Sequence, residues 1–229
     1  MITRLRTASV RAAAGGALGI AGLLAFTTAP AHAAGPAPRA AASELPPVGA
    51  EGTEPLASDF DFTLNGQQCH AHAVGAVDEY VTAQDAAATT DTVAEGGLKL
   101  RGTESCGSGS RTRAASGGSI TIEQNDVDVD PKSLLRITQN FPPRYEQIMV
   151  LSFTMVIEDP ETSNDHARAH HEPLILTTKD PAKLIGTLTQ FPPRGDLYQL
   201  QNPVDLIDLG NPDTTIATIQ TFPVKVGGL

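Results

Sequence analysis

The sequence predicts an all-β protein, an antiparallel β-sandwich or barrel with partially duplicated hairpin units. Three observations carry that prediction. Asn65-Gly66 separates two segments that each alternate polar and apolar residues. Runs rich in Val, Ile, Thr and Leu recur between turn residues with the spacing of short strands. A segment running from Pro to Phe-Pro occurs three times in the second half. No stretch carries a convincing amphipathic helical period, which favours a sandwich or barrel over a mixed fold.

The elements follow in chain order. Arg4, Arg6 and Arg11 precede an uncharged stretch from Ala12 to Phe26, and Ala31-His32-Ala33 ends it with small residues. A basic start, a short apolar centre and an A-x-A end describe a secretory signal peptide over residues 1–33, cleaved after Ala33. Its apolar centre is too short for a membrane anchor. The mature chain is therefore expected to be secreted and extracellular. Residues 34–58 are rich in Ala and Pro and read as a disordered leader. Residues 59–229 read as a single β-sandwich domain.

Asp59 to Leu64 alternates, Asn65-Gly66 turns, and alternation resumes to Val74. Asn-Gly supplies the two positive-φ positions of a type I′ turn, so a two-residue loop fixes the register. Leu64 then faces Gln67, Phe62 faces Cys69 and Phe60 faces Ala71. On the other face Asp61 meets His70 and Asp59 meets His72. Asp78 to Ala94 suits either a strand or a short helix. Leu98–Arg101 reads as a strand, residues 102–119 as a long Gly/Ser loop, and Ser119–Glu123 as a strand. Further extended runs cover Gln147–Ile157, Leu174–Thr178 and Val204–Leu209. The repeated segments are 130–144, 180–194 and 211–225, each a Pro-opened turn and a strand ending in Phe-Pro. Their unequal spacing excludes a solenoid of fixed period. Phe141, Phe191 and Phe222, at the strand ends, are expected to close the core.

Composition excludes several functions. The formal net charge is −10, and loss of the arginine-bearing leader makes the remainder more acidic. Such a chain repels nucleic acid and anionic membranes. Trp is absent and aromatics are 4%, which argues against stacking sites for sugars or bases. Cys69 and Cys106 are the only cysteines, and in an exported protein they are expected to pair as a disulfide.

Four constellations bear on chemistry. The Asp59/Asp61 and His70/His72 face has the residues to bind a metal or to orient a general base, but also suits a solvated sheet face. Asp165-His166-Ala-Arg-Ala-His170-His171-Glu172 holds half of the six histidines. It is a source of a catalytic His or a solvated loop, and Ala167 stands where a zinc protease needs Glu. Asp126, Asp128 and Asp130 alternate with valines like an exposed acidic strand edge. Ala114-Ala-Ser116-Gly-Gly118 matches a relaxed nucleophile-elbow pattern, although a Gly/Ser loop precedes it where a strand is required.

In length, in Ala31-His32-Ala33, in the Cys69/Cys106 pair and in its FPPR segments, the chain resembles small secreted proteins of high-GC Gram-positive bacteria. Some of these are labelled extracellular cholesterol (sterol) esterases. The resemblance implies a secreted carboxylic ester hydrolase acting on a lipid or sterol ester, outside the α/β-hydrolase fold. Triad logic would then make Ser116 the nucleophile, His170 (or His171) the base and Asp165 its orienting carboxylate. The alternative is a non-catalytic secreted β-sandwich that binds an apolar small molecule or a cell-envelope partner. No cofactor or metal, no nucleic acid, no transmembrane anchor and a monomeric state are expected.

Overall fold

A computed structural model describes residues 44–107, 118–158 and 173–228. The signal peptide, Ala33 and the first part of the leader, residues 34–43, lie outside the described residues, as do Ser116, Asp165, His166, His170 and His171. Among the described residues there are thirteen strands and no helix, so none is long and apolar enough to cross a membrane.

Three long strands come first: β1 (Glu51–Leu64), β2 (Gln67–Gln84) and β3 (Thr90–Cys106). Shorter ones follow: β4 (Ser119–Gln124), β5 (Ser133–Asn140), β6 (Pro143–Leu151), β7 (Phe153–Glu158), β8 (Leu174–Thr178) and β9 (Ala182–Leu188). The last are β10 (Asp196–Leu200), β11 (Val204–Asp208), β12 (Asn211–Thr221) and β13 (Val224–Val226). Every pairing is antiparallel, and the pairings close on themselves twice. One circuit runs β1-β2-β3-β4-β7-β8-β11-β12 and back to β1. The other runs β1-β2-β3-β5-β6-β9-β10-β13 and back to β1.

Of the two antiparallel architectures open to the sequence, the closed barrel is the one formed. Both circuits use β1, β2 and β3, at opposite ends of those strands. Asp61–Leu64 pair with β12, whereas Leu56–Ser58 pair with β13. Likewise Lys99–Thr103 pair with β4 and Thr90–Val93 with β5. The chain is thus one eight-path meander passing through two stacked barrel sections. β1–β3 run through both unbroken. The other paths break where they cross from one section to the other: β4 to β5, β7 to β6, β8 to β9, β11 to β10 and β12 to β13. Closure leaves no edge strand in either section.

The breaks at this waist are satisfied by small polar side chains, because buried backbone groups need partners. Ser152, between β6 and β7, hydrogen-bonds Thr178 Oγ1 (3.0 Å) and accepts from Asn125 Nδ2 (3.0 Å). Ser58 Oγ donates to the Pro223 carbonyl (2.8 Å), where β12 gives way to β13. The first section is filled by apolar residues, among them Phe62, Leu64, Leu100, Ile122, Met155 and Leu206. Phe60, Phe153 and Phe222 meet at the waist, with Phe60 and Phe222 edge-to-face at 5.0 Å.

The hairpin register is the one the alternation predicts, from Leu64↔Gln67 to Asp59↔His72. Asn65 and Gly66 both have positive φ (50° and 81°). Cys69 and Cys106 face one another on β2 and β3 and form the disulfide. Residues 78–94 form the adjoining ends of β2 and β3, not a helix.

Other readings are corrected. Order begins before Asp59: β1 starts at Glu51, inside the supposed leader, because β2 pairs with it back to Tyr80. β3 runs to Cys106, so the Gly/Ser loop begins later than Gly102. Asp126, Asp128 and Asp130 lie in the loop that carries the chain from β4 to β5, not on a strand edge.

The three Phe-Pro copies have different fates. Phe222 is buried (2% exposed) because Pro223 breaks its path at the waist. Phe141 and Phe191 sit instead in the β5–β6 and β9–β10 turns at the far end of the second section. There Phe141 is 79% exposed and Phe191 is half-buried.

β2 and β3 approach so closely between the sections that a Cβ on Gly75 would stand 1.7 Å from the Lys99 carbonyl oxygen. Gly75→Ala must push the two strands apart. We expect it to cost about 2–3 kcal/mol in urea denaturation, the range of overpacked sites. An unchanged midpoint would contradict this reading.

Candidate functional site

The second section holds a hydrogen-bonded set of buried polar groups and a cavity at its far end; the first also buries a carboxyl, that of Glu104. Strand alternation explains how they enter. Val77, Glu79 and Val81 share the inward phase of β2, as do Tyr145, Gln147 and Met149 on β6. Glu79 and Gln147 are therefore polar residues at apolar positions, and both are buried. Across the strand pair, Glu79 stands directly opposite Glu95 of β3.

These residues form an ordered chain of hydrogen bonds. Tyr198 Oη of β10 donates to Gln147 Oε1 (2.6 Å), and Gln147 Nε2 donates to Glu79 Oε1 (2.6 Å). The Tyr198 ring lies over Gly186 of β9, where a Cβ would come within 2.7 Å of it. A glycine there makes room for the tyrosine. Glu95 Oε2 accepts from Ser133 Oγ of β5, which itself accepts from the Val150 N–H (2.8 Å). Glu95 Oε1 is buried and has no hydrogen-bond partner among the described residues.

Burial sets the protonation of the cluster, since removal from water penalises the charged form. It pushes the Glu79 carboxyl up to about 7, a rise opposed by the Gln147 hydrogen bond and reinforced by Glu54. Glu95 is pushed up to about 8, again mainly by burial, with Ser133 opposing and Glu79 reinforcing. Burial also raises Glu54. The Tyr198 hydroxyl is raised by burial and then by the surrounding carboxylates, so it stays a neutral donor.

Glu79 opens onto a cavity of about 240 Å³. Leu45, Pro46, Val81, Val93, Phe191 and Pro192 supply its apolar wall, and Glu44, Glu51, Glu54 and Glu79 its charge. Among the described residues no Lys, Arg or His lines it. The segment 44–50 closes part of the mouth, tied down by Gly49 N–H to the Val81 carbonyl (2.8 Å) and Val81 N–H to Ala50 (2.9 Å).

The Asp59/Asp61 and His70/His72 face lies elsewhere. Asp61 accepts from or pairs with His70 Nδ1 at 2.9 Å, and Asp59 with His72 at 2.7 Å, as the register requires. Both pairs are more than half exposed on the outer face. Among the described residues, neither belongs to a group of three close ligands. The group that does arise, Cys69, Glu104 and Cys106, has its sulfurs in the disulfide. Ser116, His170 and Asp165 fall outside the described residues, so no triad geometry is on view.

The chain matches no protein-family model and no curated protein. Among solved structures it is similar to DynF from the dynemicin biosynthesis pathway of Micromonospora chersina. The two share 17% identity and a TM-score of 0.58, over 80% of this chain and 82% of that one. At that identity the likeness concerns the fold.

Proposed function

We propose that this is a secreted, non-catalytic binding protein that takes a small molecule with an apolar body into the second barrel section. The observation carrying this reading is the contrast between the two sections. The first is filled mainly by aliphatic and aromatic side chains, with Glu104 buried among them; the second keeps a cavity with an apolar wall and a fixed polar chain at its inner end. Concave, mainly apolar sites with a few oriented polar groups are the usual form of small-ligand sites. The disulfide supports the exported setting, since such bridges persist outside the cytoplasm. A volume of about 240 Å³ suits a ligand of fragment size or the end of a longer one.

The test uses indole, a neutral aromatic probe, followed by saturation-transfer NMR. Saturable binding with Kd on the order of 1 mM or tighter is expected for so few heavy atoms. Val81→Trp, which fills the cavity, should abolish it, with Val93→Phe as the milder control. No saturable binding to the folded wild type would reject the proposal. Ser116→Ala should leave indole binding unchanged. Should the wild type instead hydrolyse a cholesteryl ester and Ser116→Ala lose that turnover, the ester hydrolase becomes the correct reading.

A further inference from the structure

We propose that the ligand of this cavity carries a basic nitrogen, taken up as an ammonium or amidinium by the Glu79 carboxyl that lines it, with the Glu95 carboxyl of the neighbouring strand directly behind. The proposal rests on the cavity being a binding site, and adds the chemistry of what enters it.

Three features support it independently of one another. The first is charge: among the described residues the lining holds four glutamates and no basic side chain, and Glu54, Glu79 and Glu95 form no ion pair. Buried carboxyl groups ordinarily come with a cation. The second is an unmet valence. Among the described residues, Glu95 Oε1 is buried without a partner, and Glu79 has one oxygen engaged, by Gln147. An ammonium brings three donors and no acceptor, which matches two carboxyl groups with free lone pairs. The third is pre-organisation. Gln147 and Ser133 hold one oxygen of each carboxyl, so the cation would meet a set geometry without ordering long side chains first.

A divalent metal fits less well. No group of three close ligands among the described residues includes these glutamates, whereas an organic cation completes its shell with the apolar wall. Among the described residues the titratable groups lining the site are Glu44, Glu51 and Glu54 on and before β1 and Glu79 on β2; behind Glu79 stand Glu95 of β3, Gln147 of β6 and Tyr198 of β10, and none of these is basic. Without a cation beside them the raised carboxyl groups are partly protonated near neutrality. A bound cation favours their ionised form, so uptake releases a proton to solvent.

Benzylamine, benzyl alcohol and benzoate provide the test, being alike in size and different in charge. Each is titrated calorimetrically into the oxidised protein at pH 7.5, in phosphate and in ACES, to count protons from the difference in heats. Benzylammonium should bind about tenfold or more tighter than benzyl alcohol, with proton release, and benzoate should not bind. Glu79→Gln should erase the preference for benzylammonium over benzyl alcohol; Glu54→Gln should reduce the preference in part. Equal binding of benzylammonium and benzyl alcohol without proton release would overturn the cation assignment and leave the cavity a ligand site. Failure of all three probes would overturn both.

Discussion

The protein should lose stability as the pH rises from about 4.5 to 8, and Glu79→Gln with Glu95→Gln should remove that loss. The sign follows from the direction of the shifts. Both carboxyl groups bind protons more tightly in the folded chain than in the unfolded one, where they titrate near 4.5. Between the unfolded value and the folded value the folded state holds more protons, so raising the pH favours unfolding. Stability is fully present below about pH 4.5 and is lost as the pH passes through about 7 for Glu79 and about 8 for Glu95. For Glu79, with its residue 5% exposed, the loss is on the order of 3 kcal/mol. Asp85 and Glu123 are held below their ordinary values, by backbone N–H groups and by Lys99 respectively, and act in the opposite sense on the acid side. Urea denaturation at pH 5, 6, 7 and 8 measures the effect. A wild type as stable at pH 8 as at pH 5 would show that these carboxyl groups are not buried as described.

Removing the disulfide should have an effect of similar size in a different place. Cys69 and Cys106 are 37 positions apart and link the ends of β2 and β3 beside the Asn65-Gly66 turn. In the chain-entropy model, freeing a loop of that length in the unfolded state costs about 4 kcal/mol. The pairing from Cys69↔Cys106 to Gln84↔Asp91 is long, so the fold should survive with a lower midpoint. Cys69→Ser with Cys106→Ser should therefore shift denaturation strongly and leave the probe affinities of the second section unchanged. A loss of probe binding in the folded double variant would mean that the two sections are coupled.

The sequence made the first section legible and the second largely not. Asn65-Gly66 sits between strands with one apolar face, so turn chemistry and alternation agree, and the register follows to the side chain. The disulfide was legible because a pair of cysteines in an exported chain has one partner each. Closure was not, because it depends on pairings between β1 and β12 or β13, which are far apart in sequence. Nor was the acidic cluster. Glu79, Glu95 and Gln147 occupy apolar-phase positions, and a charged residue there breaks the alternation that identifies a strand. Residues 78–94, rich in Ala and Thr, suited either a strand or a short helix. The break in pattern was the signal: Val77-x-Glu79-x-Val81 has a carboxylate where a core residue belongs. The Phe-Pro repeats show the converse. Similar segments predict similar local turns, but whether the Phe is buried depends on whether the turn falls at the waist or at the barrel end.

Chemical-shift mapping with indole on ¹⁵N-labelled protein tests most directly whether the second section is the binding site. Shifts should concentrate on Leu45–Gly52, Glu79, Val81, Val93 and Phe191, and be absent from Leu100, Ile122 and Leu206 in the packed section. Saturable shifts confined to that packed section, or none at all, would contradict the proposal that the cavity beside Glu79 takes a ligand.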